Sequence, residues 1–248
     1  MYPYIHITIS GYALMVGVGL FCALSLAYNR NEKFKFTIKQ LIALVVANII
    51  GVVIGSKLLF FIVGLPEWIR DFSFKLMIEK IATSGFVFYG GLLGAMFGTF
   101  VCANILKLEK KRVFNFLVPT YMAFHACGRI GCLLVGCCYG KECAFGFMMA
   151  DGVRRFPVQL VEAICILAIL FVVLKVEKKN KDVHLLRVYL PIYAVCRFIL
   201  EFFRGDEIRG LWGGISTSQW ISLTIIVVIV IRIIIDRVRK TRGKEEGQ

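Results

Sequence analysis

The stretch LIALVVANIIGVVIGSKLLFFIVG, residues 41–64, decides the fold class. It contains a single charged residue, Lys57, and about 20 consecutive apolar residues are enough for an α-helix to cross a bilayer. The sequence therefore predicts a transmembrane helix here. The rest of the chain agrees, because 58% of its 248 residues are hydrophobic and its mean hydropathy is +0.77, above the apolar content of soluble domains.

Similar apolar stretches occur on both sides of this one. We predict an all-α, polytopic membrane bundle of about seven transmembrane helices, forming a single membrane domain over residues 1–248. Met1–Ser10 contains no Lys or Arg, so it lacks the basic region that opens a signal peptide, and we expect the first span to be retained. The predicted spans cover residues 11–28, 41–64, 86–106, 113–135, 158–174, 183–203 and 219–235.

The loop charges predict the orientation, because short loops rich in Lys and Arg stay in the cytoplasm. The loops after the first, third and fifth spans are strongly basic, as is the tail over residues 237–248, whereas the other loops are more balanced. This alternation predicts an outer N-terminus and a cytoplasmic C-terminus. The net charge of +14 therefore indicates a membrane protein, with a tail attracted to anionic inner-leaflet lipids, and no nucleic-acid partner is expected.

Four clusters of polar residues lie toward the predicted outer end of the spans, where each ionisable group is costly and is a functional hypothesis by default. The first is GFVFYGGLLG, residues 85–94, whose glycines favour close helix packing. The second is HACGRIGCLLVGCCYG, residues 125–140. His125 and Arg129 are one helical turn apart there, and the glycines allow a close approach to a ligand. A core histidine is an equal alternative for His125.

The third cluster is RRFPVQLVEA, residues 154–163, in which Gln159 and Glu162 share one helix face. A polar pair that holds helices together is the alternative interpretation. The fourth is YAVCRFILEFFRGDE, residues 193–207, with polar side chains at steps of four, four and three on one face of an otherwise apolar helix, and we expect this face to point into the bundle. These side chains are Tyr193, Arg197, Glu201 and Arg204.

Taken together, the four clusters predict one site. Arginine presents a planar fork of donors that suits phosphate, and at this depth the phosphate is that of a phospholipid head group. We expect Arg129 and Arg197 to hold it, with Arg204 at the rim. Glu201 is expected to orient Arg197.

The chain has nine cysteines, five of them between residues 127 and 143. Structural zinc sites favour two separated pairs of ligands, which the spacing of these five does not provide, so no metal and no cofactor are expected. A disulfide in an oxidising compartment and a thiol redox function are the alternatives, although no C-x-x-C pair is present.

The motifs FYGGLLG (88–94), HACGRIGCLLVGCCYG (125–140), FPVQLVE (156–162) and YAVCRFILEFFR (193–204) resemble one family in order and spacing. This family is the bacterial phosphatidylglycerol–prolipoprotein diacylglyceryl transferases, multi-pass enzymes of the bacterial cell membrane. The resemblance covers nearly the whole chain. It implies transfer of the diacylglyceryl group of phosphatidylglycerol to the lipobox cysteine thiol of a preprolipoprotein, with release of glycerol phosphate, at a site facing the extracytoplasmic side.

The resemblance also implies which residues act. The matching positions, which are expected to catalyse the reaction or to bind the substrate, are Arg129, Gly140, Gln159, Glu162, Tyr193, Arg197 and Glu201. Because the thiolate is the reactive form of the acceptor, a general base is needed, and we expect His125 first and Tyr89 second.

The chain departs from the family pattern at several places. Tyr89 replaces a histidine, Cys132 an asparagine, Cys137 a glutamate, and Phe156 and Val161 a histidine and a tyrosine. This indicates a divergent branch with a cysteine-rich signature. Two alternatives therefore stay open, a paralogue with another acceptor and a phospholipid-binding membrane protein without catalysis.

Overall fold

The structure is a computed structural model that describes residues 4–5, 9–70, 73, 88–149, 152–205, 211–212 and 214–245. Seven α-helices lie in these ranges, and each predicted span falls on one of them, which confirms the helical fold class. The helices are α1 (Gly11–Phe34), α2 (Ile38–Arg70), α3 (Phe88–Ile105), α4 (Lys110–Val135), α5 (Val158–Lys179), α6 (Leu185–Glu201) and α7 (Thr217–Glu245).

Several helices run beyond the predicted spans. α1 continues to Phe34 rather than ending near residue 28, and α2 begins at Ile38 and ends at Arg70. The reason is that a helix does not have to end with its apolar stretch. Arg30, at the polar end of α1, donates from Nη2 to the carbonyl oxygen of Asn115 at 2.7 Å, so the helix continues through residues that hydropathy alone assigns to a loop.

Four helical segments are long and apolar enough to cross a membrane: Gly11–Phe34, Ile38–Ile62, Lys110–Val135 and Val158–Lys179. α3 and α7 contain shorter apolar segments. Large apolar side chains lie on the outside of the helices, for example Phe21 (73% exposed), Ile54 (61%) and Phe171 (59%), and such exposed apolar surface suits lipid. The seven-span topology and its orientation stay predictions.

Three short antiparallel hairpins, which the sequence did not predict, accompany the helices in the described residues. Gly152 and Gly214 supply the positive φ values, +77° and +79°, that two of the connecting turns use, a conformation that glycine adopts without steric cost. The pairs are β1 (Tyr4–Ile5) with β2 (Ile9–Ser10), β3 (Glu142–Met148) with β4 (Arg154–Arg155), and β5 (Leu211–Trp212) with β6 (Ile215–Ser216).

The chain divides into two compact units, Met1–Asn29 with Leu117–Gln248, and Arg30–Phe116. The expectation of a single membrane domain stays a prediction. In the first unit α4, α5 and α6 share an apolar core in which Met122, Ile166 and Leu185 are completely buried. This core fixes three helices, α4, α5 and α6, which carry three of the four predicted polar clusters.

In the second unit α2 and α3 pack through glycines. A Cβ added at Gly94 would overlap the carbonyl oxygen of Gly51, and one added at Gly55 would lie 2.8 Å from the Cα of Gly94. The predicted packing role of the glycines in residues 85–94 is thereby confirmed for Gly94, while Gly85 lies outside the described residues. The partner motif GVVIG, residues 51–55, was missed, although its small-xxx-small spacing is a recognised signal for close helices.

Gly94→Ala is expected to lower the free energy of unfolding by about 1–3 kcal/mol, because the added methyl group forces the two helices apart. Gly17→Ala is the matched control, since a Cβ there meets nothing within 4 Å and alanine is the better helix former by about 1 kcal/mol. Thermal unfolding of both variants in detergent micelles measures the difference. Equal stability of the two variants would contradict the packing.

Candidate active site

Glu162 on α5 lies where three helices meet, and its side chain is only 2% exposed. Its Oε1 accepts a hydrogen bond from the hydroxyl of Tyr193 at 2.8 Å. Its Oε2 lies 3.2 Å from Arg129 Nε and 3.2 Å from Arg197 Nη1. One carboxylate therefore joins α4 to α6 through two arginines.

Arg197 contacts a second carboxylate. Its Nη2 lies 2.8 Å from Oε2 of Glu201 and donates to the hydroxyl of Ser218 at 3.2 Å. The same Glu201 oxygen lies 3.8 Å from Nη1 of Arg204. The network therefore extends from α4 through α5 and α6 to the first turn of α7.

These contacts follow from helical spacing in an apolar environment. Arg197 and Glu201 are one turn apart, and Arg204 follows after three residues, so all three lie on one face of α6 and its end. His125 lies one turn before Arg129 on α4, and its ring packs edge-on against Tyr193 with 5.5 Å between ring centroids. A buried charge is costly unless it is paired, which is why the arginines and glutamates converge.

The turn after α4 has an unusual backbone. Gly136 and Cys138 have φ values of +79° and +55°, and the left-handed region is uncommon for a residue with a side chain. Gln159 donates from Nε2 to the carbonyl oxygen of Cys137 at 2.7 Å. The amide of Gln159 thus holds this turn against α5, beside the ion network.

The segment after this turn pairs with the segment after α6. The amide of Lys141 donates to the carbonyl oxygen of Phe203 at 2.8 Å, and that of Gly205 donates to Tyr139 at 3.0 Å. A Cβ at Gly140 would lie 3.0 Å from the Phe203 carbonyl oxygen and would overlap that of Phe156. Gly140 is therefore required by the protein backbone itself, which is a structural role separate from the predicted contact with substrate.

The turn also gathers three thiols. The sulfur atoms of Cys132, Cys137 and Cys138 all lie within 4.8 Å of one another. This cluster does not have the paired ligand spacing of a structural zinc site, because the turn folds two neighbouring cysteines back onto the last helical turn of α4.

The structure thus brings together most of the predicted site residues. Tyr89 is the exception. It lies in the first turn of α3, in the other compact unit, and its side chain is outside the described residues, so its role stays a prediction. The residues that meet in the first unit are His125, Arg129, Gly140, Gln159, Glu162, Tyr193, Arg197, Glu201 and Arg204.

Ser218 was not predicted from the sequence. It opens α7 among other polar residues, and a serine near a helix N-terminus is common enough that nothing distinguished it as a partner of Arg197. The pairing of Gly140 with Arg204 was also missed, because backbone contacts between distant loops leave no mark in the pattern of residue types.

The arrangement suits a phosphate ester. Three guanidinium groups meet two carboxylates in the described network, so one positive charge is in excess. In a site of low dielectric, fixed guanidinium groups stabilise negative charge that develops on a leaving oxygen. Arg129 and Arg204, each 8% exposed, are the members of the network nearest to the surface.

Comparison with known proteins points the same way. The sequence profile described as "Prolipoprotein diacylglyceryl transferase" matches residues 2–235. A protein of Clostridium perfringens named phosphatidylglycerol–prolipoprotein diacylglyceryl transferase 2 is 32% identical over 96% of this chain and 94% of its own length. A protein of Clostridium tetani with the transferase name is 32% identical over 94% of this chain and 95% of its own length.

A more distant relative with that transferase name, from Polynucleobacter asymbioticus, is 31% identical over 80% of this chain and 78% of its own length. Four helices of spanning length and relatives from bacteria together indicate a bacterial membrane protein. The profile match extends over nearly the whole chain, and so the chain belongs to the prolipoprotein diacylglyceryl transferase family.

Proposed function

We propose that this protein transfers the diacylglyceryl group of phosphatidylglycerol to the lipobox cysteine thiol in the signal peptide of a preprolipoprotein. The acceptor sulfur attacks the glyceryl carbon that bears the phosphate oxygen. A C–S bond forms as the C–O bond breaks, and the electron pair leaves on glycerol phosphate. The acceptor's thiol proton passes to a general base.

The buried network around Glu162 is the observation that carries this proposal. It holds Arg129 and Arg197 on different helices, 3.2 Å from the same carboxylate oxygen, and so fixes their relative positions before substrate binds. The excess positive charge would be neutralised by the single negative charge of a phosphodiester. The charge on the phosphate grows as the C–O bond breaks, so fixed guanidinium groups favour the transition state over the bound lipid.

Within this proposal the role of Glu162 differs from the contact with substrate that was expected from sequence. Glu162 is 2% exposed and contacts both arginines, and a carboxylate repels phosphate. We therefore assign Glu162 a positioning role for Arg129 and Arg197 rather than direct contact with the lipid. Glu201 positions Arg197 and Arg204 in the same way.

We also propose that the protein is a multi-pass protein of the cell membrane with its site on the extracytoplasmic side. The support is the charge pattern of the loops, because the basic loops flank the ends of the spans opposite to the network. Phosphatidylglycerol would then reach Arg129 laterally from the outer leaflet, and the lipobox cysteine would arrive on a signal peptide in the same membrane.

The test is to incubate purified protein in mixed micelles with phosphatidylglycerol and a lipobox peptide, and to look by mass spectrometry for a diacylglyceryl thioether. A peptide with serine in place of the cysteine is the control. An adduct on the cysteine alone supports the proposal. Phosphatidylglycerol binding without an adduct on any cysteine peptide would instead favour the lipid-binding alternative, and an adduct on another thiol would favour a different acceptor.

His125→Ala is expected to lower kcat in the same assay by about 10²–10⁴-fold, the usual contribution of a positioned general base. His125→Gln is the companion variant, since glutamine keeps a polar side chain at this position but does not accept a proton near neutral pH. Retention of full activity in both variants would remove His125 from the mechanism and leave Tyr89 as the remaining candidate. Thermal unfolding of the variants separates a loss of folding from a loss of chemistry.

A further inference from the structure

Three thiols at the end of α4 remain without a role in this reaction. Cys132 lies in the last turn of the helix, and Cys137 and Cys138 follow it in the turn, with all three sulfur atoms within 4.8 Å of one another. Thiolate sulfur is a soft ligand that selects Zn²⁺ and Cu⁺ over the harder cations. We propose that Cys132, Cys137 and Cys138 form a three-thiolate site for Zn²⁺, with the fourth position open for the acceptor thiol.

The spacing of the sulfur atoms fits this ion. Zn–S bonds of about 2.3 Å in a tetrahedral arrangement place ligand sulfurs about 3.8 Å apart, and small side-chain rotations bring sulfurs that already lie within 4.8 Å to that separation. Catalytic zinc sites use three protein ligands and leave the fourth position to water or substrate. The cluster supplies three thiols, as many ligands as such a site takes from the protein.

The backbone around the cluster is held in place for binding. Cys138 adopts a left-handed conformation, φ +55°, which is unfavourable for a residue with a Cβ and persists only where its surroundings enforce it. The carbonyl oxygen of Cys137 accepts a hydrogen bond of 2.7 Å from Gln159, which is 1% exposed. The thiols therefore converge because a buried side chain on α5 fixes the turn that carries them.

The electrostatic surroundings also suit three thiolates. Zn²⁺ with three thiolates has a net charge of −1. Arg204 pairs through its backbone with Gly140, two residues after Cys138, Arg129 lies one helical turn before Cys132, and the guanidinium of Arg155 lies 4.4 Å from the centroid of the Tyr139 ring, next to the cluster. These cations offset the negative charge of the loaded site.

The position of the cluster connects it to the reaction. His125, Arg129 and Cys132 follow one another at steps of four and three, so they lie on one face of α4. A thiol that coordinates a metal is deprotonated, and metal coordination is one way to activate a nucleophile. The acceptor's thiol proton would pass to the general base as the thiol binds the metal, and the zinc-bound sulfur would supply the electron pair of the new C–S bond while glycerol phosphate leaves. This role of the fourth position rests on the proposed transferase function.

The experiment uses the full chain, purified in micelles, reduced, stripped of metal by a chelator and reloaded with Zn²⁺ or with Co²⁺ as a spectroscopic probe. We expect one zinc per chain by elemental mass spectrometry, and a thiolate-to-cobalt charge-transfer band. Both should be lost in Cys132→Ser, Cys137→Ser and Cys138→Ser. Both should be kept in Cys143→Ser, the matched control five residues beyond the cluster. Adding the lipobox peptide should shift the cobalt band, and the serine peptide should not.

The outcomes that contradict the metal site differ from those that contradict the transferase function. Absence of bound zinc and of the cobalt band, or binding that persists when all three cysteines are serine, overturns the metal site. A disulfide between two cluster cysteines in place of metal binding does so as well. Thioether formation by zinc-free protein would overturn the role of the fourth position while the transferase stands. Stoichiometric zinc without any thioether would leave the metal site and contradict the transferase.

Discussion

Arg129→Ala is expected to lower kcat/KM for diacylglyceryl transfer by about 10²–10³-fold, which is the usual effect of removing one donor that stabilises a developing negative charge. The loss should appear mainly in kcat, because the charge on the leaving phosphate increases in the transition state and a missing guanidinium is felt most there. The formation rate of the diacylglyceryl thioether, followed by mass spectrometry over a range of lipid concentrations, measures both parameters.

The fold should survive this change, because Glu162 keeps its contacts with Arg197 and Tyr193 at 3.2 and 2.8 Å. Arg154→Ala is the matched control, since Arg154 is an exposed arginine on β4, and its activity should equal that of the unaltered protein. Equal activity of Arg129→Ala and Arg154→Ala would show that Arg129 does not meet the phosphate.

Glu162→Gln is expected to lower the free energy of unfolding by about 3–5 kcal/mol, the usual cost of removing one partner from a buried ion pair. The variant keeps the size of the side chain but takes away the negative charge that holds two arginines together at 3.2 Å each. The three guanidinium groups of the network are then left with one carboxylate, Glu201. Unfolding by heat or denaturant in micelles, monitored by tryptophan fluorescence, gives the change.

Glu142→Gln provides the control for this second measurement. Glu142 is 70% exposed and lies 3.8 Å from Arg155, and an ion pair of this kind contributes at most about 1 kcal/mol. If the two glutamine variants are equally stable, Glu162 does not anchor the network, and the positioning role assigned to it is wrong.

The helices were predictable because apolar stretches of sufficient length have few alternatives to a helix in lipid. The predicted span at 158–174 falls on α5, Val158–Lys179, with its first residue correct. The far ends of helices were less predictable. Charged residues such as Arg30 bond to neighbouring backbone instead of ending the helix, and hydropathy does not report this.

The candidate site was predictable in its residue types and only partly in its contacts. The steps of three and four residues from Tyr193 to Arg204 identified one face of α6 without any structure. Glu162, on another helix, lies between Arg129 and Arg197 because of how three helices pack. The periodicity of a single sequence does not predict such packing. The convergence of the three cysteines depends on the left-handed backbone at Cys138, which no residue type signals.

The ion network across α4, α5 and α6 also constrains how the sequence can evolve. A lineage that no longer needs the reaction still cannot lose Glu162 or Arg197 singly, because each single loss leaves buried charge without compensation. Only a simultaneous replacement of both residues would preserve the fold. These residues are therefore retained by selection for assembly alone. The positions that record whether a descendant still performs the chemistry are those whose loss the fold tolerates, and these include Arg129, His125 and the thiols of the turn.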